Sequence, residues 1–386
     1  MSPYNASHAT QPSARYRVLG GARDFWQRVS EGRDLEDLWS QFAADTRSSY
    51  GFYGKDVDWD QIHQLPAWKR PIHVVGQLFW AMMSKLTPAR RVLLLIALVL
   101  LCLSGIQFQS GGTTVELRAE FISALLFMLL LSLELADKVV MKRDLEIARE
   151  IQSWLVPSEP PPIAGAQIAF WTRPQNSVAG DYYDAFYPLQ NGSTGGQLMV
   201  VIADVAGKSV PAALLMATLQ ASLRTLASEG MPLPQLAERL NRYACAHSLG
   251  GQRFTTAIIA LYDTASRRLE YVNAGHNAAV LRHANGGIER LESSSLPFGI
   301  TPEATFLSSS VVLAQADTLI LFTDGVIEAF NSSGEEFSDF RWTNVIHTLP
   351  KLPARETLQL LMKNVEQFVG ATRQSDDITC VVLQIE

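Results

Sequence analysis

The stretch QLMVVIADVAGKSVPAALLM, residues 197–216, sets the pattern for the C-terminal part of this chain. Its apolar, β-branched run Gln197–Val205 reads as a buried strand, broken near its end by Asp204. A helix is predicted to follow over Val210–Ala227. A single carboxylate at a strand end is ambiguous: it fits a solvated turn, a partner for an Arg, or part of a cation site. The reading therefore turns on whether the arrangement recurs.

Working outward, further strands are predicted over Gln167–Thr172, Tyr182–Tyr187, Phe254–Tyr262, Arg268–Asn273, Ala278–Arg282, Thr305–Leu313, Thr318–Phe322 and Asp377–Gln384, with helices over Leu233–Ala246 and Arg355–Val369. Strands fall in consecutive groups and helices in two blocks. That order favours an α+β fold with antiparallel sheets and segregated helices over an alternating parallel one. The acid does recur: Asp181 precedes the YYDAF strand, Asp324 closely follows LILF, and Asp376 precedes DITCVV. If those strands are neighbours, the carboxylates converge. Bare carboxylates in a dry cleft raise one another's pKa, so they are retained where cations neutralise them. Hard divalent ions, Mg²⁺ or Mn²⁺, are the natural partners of such oxygen ligands.

The ordered set AGDYYD (179–184), DVAGKSVPAALLM (204–216), YVNAGHN (271–277), FTDGVIEA (322–329) and SDDIT (375–379) resembles the SpoIIE/RsbU-type branch of the metal-dependent (PPM, type-2C-like) serine/threonine phosphatases. The resemblance covers roughly residues 145–386 and includes the lead-in EIAREIQSWLVPSEPP. It implies two antiparallel β-sheets in a sandwich flanked by helices, with a pair of Mn²⁺ or Mg²⁺ ions at one edge. Carried over by position, Asp204 bridges the two ions with the Val205 carbonyl as a further ligand, and Asp181, Asp324 and Asp376 complete the metal-binding, catalytic set. Asp377 takes a supporting position and is expected to be the more tolerant of the acid pair. The implied reaction is attack of a metal-activated water on phosphoserine or phosphothreonine. The family's substrates are typically anti-sigma-factor antagonists of the STAS type in bacterial partner-switching pathways.

The sequence also departs from the wider superfamily. Ala206 stands where eukaryotic members carry a His, and the eukaryotic phosphate-binding Arg has no counterpart. His276 is a candidate acid or a structural hydrogen-bonder, and Lys208 a phosphate contact or a helix start. Ala179 replaces a Gly common in the family. A second functional class, a catalytically silent membrane scaffold, is weakened by the retention of all the mutually repelling acids.

The chain has 386 residues, 47% of them hydrophobic, and a net charge of −6, which gives no reason to expect nucleic acid as a partner. The three cysteines, Cys102, Cys245 and Cys380, lack metal or disulfide spacing and fit a reducing compartment. The apolar excess lies at Val92–Phe108 and Phe121–Leu133, both slightly short of the roughly 20 residues of a membrane span. A buried soluble hairpin is the plain alternative. Lys69, Arg70, Lys85, Arg90 and Arg91 before the pair, and Lys138, Lys142 and Arg143 after it, follow the positive-inside pattern. The expected layout is an N-terminal cytoplasmic region of unknown role (1–88), a two-helix transmembrane hairpin (89–137), an amphipathic linker helix (138–160) and a phosphatase domain (161–386). The protein would be multi-pass in a bacterial inner membrane, with its N-terminus and phosphatase domain in the cytoplasm. In the linker, Met141, Leu145, Ala148, Ile151 and Leu155 form one helical stripe that packs on the domain below or on a second copy in a homodimer. The prolines of SEPPPIAG end that helix.

Overall fold

The computed structural model describes residues 62, 66, 68–103, 107–110, 113–116, 119–188, 196–248 and 253–386, the segments 107–110 and 113–116 by their backbone alone. The chain divides into two units, Met1–Asp137 and Lys138–Glu386. The helix expected near 34–45 lies outside the described residues.

In the second unit, side-chain alternation builds the layers. Strand β5 (Gln197–Val205) sends Leu198, Val200 and Ile202 into one core. It sends Met199, Val201, Ala203 and Val205 into another, so it is buried on both faces and reads as an unbroken apolar run. One five-stranded antiparallel sheet is ordered β10-β7-β6-β5-β4, with β4 at Tyr182–Phe186, β6 at Thr255–Asp263, β7 at Arg268–Ala274 and β10 at Ser309–Val312. The other is ordered β3-β12-β11-β8-β9, with β3 at Ala166–Arg173, β8 at Ala279–Arg282, β9 at Ile288–Leu291, β11 at Thr318–Phe322 and β12 at Ile378–Ile385. The first core lies between the sheets. Helices α4 (Val210–Ala227) and α5 (Leu233–Ala246) cover the first sheet, and α6 (Ser338–His347) and α7 (Ala354–Val369) the second. Helix α4 starts with a Pro in its first turn, where the missing amide costs no hydrogen bond, and buries Ala212, Met216, Leu219, Leu223 and Ala227 at helical spacing. The result is the expected two-sheet sandwich with flanking helices.

Three local expectations need correction. The strand predicted over Thr305–Leu313 pairs only at Ser309–Val312, because Phe306 leaves the sheet to stack on Phe298 in the core under α4 and α5. Strand β9 and helix α6 were not anticipated: β9 is a four-residue edge strand, and α6 buries only Trp342 and Ile346, too few apolar positions to mark a period. The polar connector after the first apolar run pairs β1 (Gln107–Ser110) with β2 (Thr113–Glu116), so Phe108 is in a strand and not in a helix.

In the first unit, α1 (Arg70–Lys85) precedes α2 (Pro88–Leu103), and α3 (Glu120–Leu155) starts there and ends in the second. Arg90 pairs with Glu134 at 2.8 Å and Asp137 at 2.6 Å, and the Ser123 hydroxyl donates to the Ala97 carbonyl at 2.8 Å. Among the described residues, the one helix long and apolar enough to cross a membrane is Val210–Ala227, which is α4 and lies against the first sheet. Helix α2 has 16 residues, and the apolar part of α3 ends in Glu134 and Asp137. The expected spanning pair therefore falls short of that measure.

An ion pair whose acid is buried and whose Arg is half-exposed fastens α4 to its sheet. Asp184 in β4 is fully buried and accepts two hydrogen bonds of 2.8 Å from Arg224 and one of 2.6 Å from the Tyr182 hydroxyl. Arg224→Met should cost about 3 kcal/mol, because it leaves a carboxylate buried without its cation. A lowered denaturant midpoint with unchanged slope checks this, and adding Asp184→Asn should recover part of the loss.

Candidate metal centre

Two strand pairs, one from each sheet, end at the same edge of the sandwich. In the first sheet Tyr182 pairs with Ala203, so Asp181 and Asp204 sit side by side just beyond that pair. In the second, Phe322 pairs with Cys380, which puts Asp324 at the end of β11 near Asp376 and Asp377 at the start of β12. Thr323 joins the two sheets: its hydroxyl donates to Asp181 Oδ2 at 2.9 Å and accepts the Thr379 N–H at 2.9 Å. Sequence reasoning missed this Thr. Its signal was a hydroxyl residue directly before Asp324, matched by another in SDDIT.

Asp377 carries more structure than its expected tolerance implies. Its Oδ1 accepts the Gln175 N–H at 2.7 Å and its Oδ2 the Gly180 N–H at 2.6 Å, so it holds the backbone on which Asp181 stands. Space enforces a glycine at 325 and leaves little room for more than a glycine at 180. A Cβ on Gly180 would lie 3.1 Å from the Val205 carbonyl oxygen, and one on Gly325 would lie 1.9 Å from the Asp377 carbonyl oxygen. The Val205 carbonyl is thereby brought against the Asp181 loop. From the other side Gln152, near the end of α3, donates to the Ala179 carbonyl at 2.7 Å and accepts the Ala179 N–H at 2.9 Å. Val156, one turn on, packs into both cores flanking the first sheet, whereas Met141 and Ile151 of the linker stripe are exposed.

The acids act on one another through low-dielectric surroundings. Burial pushes Asp181 well above the usual carboxylate range, and Asp204 and Asp377 push it further against the Thr379 and Thr323 hydrogen bonds. Asp204 rises to about 7, first by burial and then by repulsion from Asp324, Asp376, Asp377 and Glu328. Asp324 is raised by burial and by Asp376, with the Gly325 amide and Lys208 opposing. Asp376 accepts the Asp377 N–H at 2.9 Å and pairs with Lys208 Nζ at 2.9 Å.

Among the described residues, no three His, Cys, Asp or Glu side chains are closed around one point as a finished metal cage. What fits a hard divalent cation is the donor chemistry, carboxylates and one carbonyl at a single edge, together with a cation already seated on Asp376 in the form of Lys208. His276 is buried with both ring nitrogens engaged: burial lowers it to about 4, its Nδ1 accepts from the Thr256 hydroxyl at 2.7 Å, and its Nε2 donates to the Phe322 carbonyl at 3.1 Å. It is a neutral tie between the sheets. Ala206, at the position of the eukaryotic His, only bonds its N–H to the Phe254 carbonyl at 2.9 Å.

The family model described as Stage II sporulation protein E (SpoIIE) matches residues 194–386. Protein IcfG of Synechocystis is 27% identical over an alignment of 270 positions that covers 63% of this chain and 42% of that protein. Phosphoserine phosphatase RsbP of Bacillus subtilis is 26% identical over an alignment of 254 positions that covers 64% of this chain and 59% of that protein. The chain thus spans less than two thirds of the length of either relative. The SiaA-PP2C domain of Pseudomonas aeruginosa superposes with a TM-score of 0.56 at 18% identity, covering 65% of this chain and 99% of that domain, a likeness of fold.

The raised Asp204 carboxyl makes a signed prediction for the protein held in chelator. Below about pH 4 folded and unfolded chains both keep the proton. Between there and pH 7 the unfolded chain ionises more easily, so native stability falls as pH rises. Asp204→Asn should be neutral at pH 4 and stabilising by about 1–3 kcal/mol at pH 8, read from thermal or denaturant unfolding across that range.

Proposed function

This chain belongs to the SpoIIE family, and from that premise we propose that it hydrolyses phosphoserine or phosphothreonine on a protein at the acidic edge of its sandwich. The observation that carries the reading is the meeting of strand ends from two sheets, which puts Asp181, Asp204, Asp324 and Asp376 in linked electrostatic reach. In this reading Asp204, the Val205 carbonyl, Asp181, Asp324 and Asp376 hold two Mn²⁺ or Mg²⁺ ions. Bound there, the ions supply Lewis acidity and a water acidic enough to ionise near neutral pH. The protein's own groups fix the donors: Thr323 orients the Asp181 carboxylate, and Asp377 and Gln152 anchor its loop from opposite sides. A thiolate route is disfavoured, because burial pushes the Cys380 thiol far up.

The substrate in this reading is a phosphorylated STAS-type anti-sigma-factor antagonist of a bacterial partner-switching pathway, supported by the family resemblance. The pair 89–137 is read as a membrane hairpin that leaves the region 1–88 and the phosphatase domain in the cytoplasm. Its support is the exposure of Val92, Ile96, Val99, Phe121, Leu125 and Met128, with basic residues on both flanks. The exposed Val139, Val140, Met141, Ile147 and Trp154 of α3 support a homodimer through the linker.

Phosphate release from a phosphoserine protein should require Mn²⁺ or Mg²⁺, and Asp204→Ala or Asp324→Ala should lower it by about 100-fold or more. Equal, near-zero rates for wild type and variants, with and without Mn²⁺, would instead favour a silent scaffold.

A further inference from the structure

Among the described residues, the acidic edge contains a cation, Lys208. Lys208 Nζ lies 2.9 Å from Asp376 Oδ2 and donates to the Ser375 carbonyl at 2.8 Å. Its charge also offsets Asp324, Glu328 and Asp377. The groups that bear most strongly on Asp204, by contrast, are all acids: Asp324, Asp376, Asp377 and Glu328.

Two plain readings of this Lys, a helix start and a lasting structural tie, do not agree with its surroundings. As a helix start it is poorly suited, since a cation at a helix N-terminus opposes the macrodipole. Ser209, which follows it, makes no capping side-chain bond to α4. The turn is also unusual: Gly207 has φ +113° and Ser209 has φ +64°, a left-handed conformation rare for a residue with a Cβ. The Lys208 side chain turns from the residues before α4 to those at the start of β12 in the opposite sheet. As a lasting structural tie it is weak, because the two side chains are 52% and 36% exposed and such half-solvated pairs stabilise little. The geometry shows a weakly held ammonium on a carboxylate that the metal-dependent reading needs as a ligand.

We propose that Lys208 is a tethered occupant of the cation site, holding Asp376 in the ion-free protein and giving it up when that carboxylate takes a divalent ion. The inference rests on the metal-dependent reading above. Lys208 then has two consequences for this site. It neutralises part of the acidic cluster before an ion arrives, and it weakens ion binding, since the pair has to break first.

The test uses the full-length chain and Mn²⁺ alone. Lys208 acetylation by a brief pulse of a small amine-reactive reagent, read by mass spectrometry, should rise severalfold at saturating Mn²⁺, while Lys138 and Lys142 stay constant. Asp376→Asn should raise Lys208 labelling with no Mn²⁺ present. In calorimetry, Lys208→Met should bind Mn²⁺ about two- to fivefold more tightly than wild type. If Mn²⁺ binds but leaves Lys208 labelling unchanged, and Lys208→Met binds it no more tightly, the occupant role is overturned and the metal-dependent reading stands. If neither wild type nor Lys208→Met binds Mn²⁺ at all, the metal-dependent reading fails and this inference with it.

Discussion

Carboxylates forced together away from water repel one another, and the phosphatase-like unit is built around a place where that repulsion is tolerated. Asp181 and Asp204 end adjacent strands of one sheet, Asp324 and Asp376 adjacent strands of the other, and the sandwich brings the two edges together. Folding alone gains nothing from that arrangement: burial and mutual charge raise Asp181, Asp204 and Asp324 above their ordinary range. The cost is borne by three apolar cores, which fix the sheets irrespective of what happens at their rim.

The rim is held by short, specific contacts rather than by apolar packing. Thr323 bonds to a carboxylate of one sheet and an amide of the other, and the neutral His276 ties β6 to the end of β11. Gly180 and Gly325 admit the close backbone approaches that let the two edges meet. Each of these contacts is removed by a single atom too many or too few. Asp181 is anchored twice over, by Asp377 through the backbone amides of its loop and by Gln152 of α3 through Ala179. The end of α3 and the loop bearing Asp181 are thus hydrogen-bonded to each other.

Much of this was legible in the sequence, for identifiable reasons. Strands such as Gln197–Val205 and helices such as Val210–Ala227 are long and periodic, and their predicted bounds coincide with the observed ones. The short elements were not legible. Four residues of β9, or two buried positions in α6, carry no period, and Phe306 left its predicted strand for a core that only the fold creates. The acids were visible because a charge at the end of an apolar strand is conspicuous. Their supports were not, because Thr323, Gln152 and Gly180 are ordinary residues until their partners are known.

By itself the sequence determined the class of the C-terminal fold and singled out the acids at its strand ends, since both follow from patterns local in the chain: period, β-branching and the position of charge. Only the tertiary structure decided how Asp376 and Asp377 divide their work, with one on Lys208 and the other on two backbone amides. It alone showed His276 as a tie between the sheets. The physical reason is one of range. Hydrogen bonds and ion pairs act over a few ångströms, and the partners that meet at this edge, such as Gly180 and Asp377 or Thr323 and Asp181, are far apart in sequence.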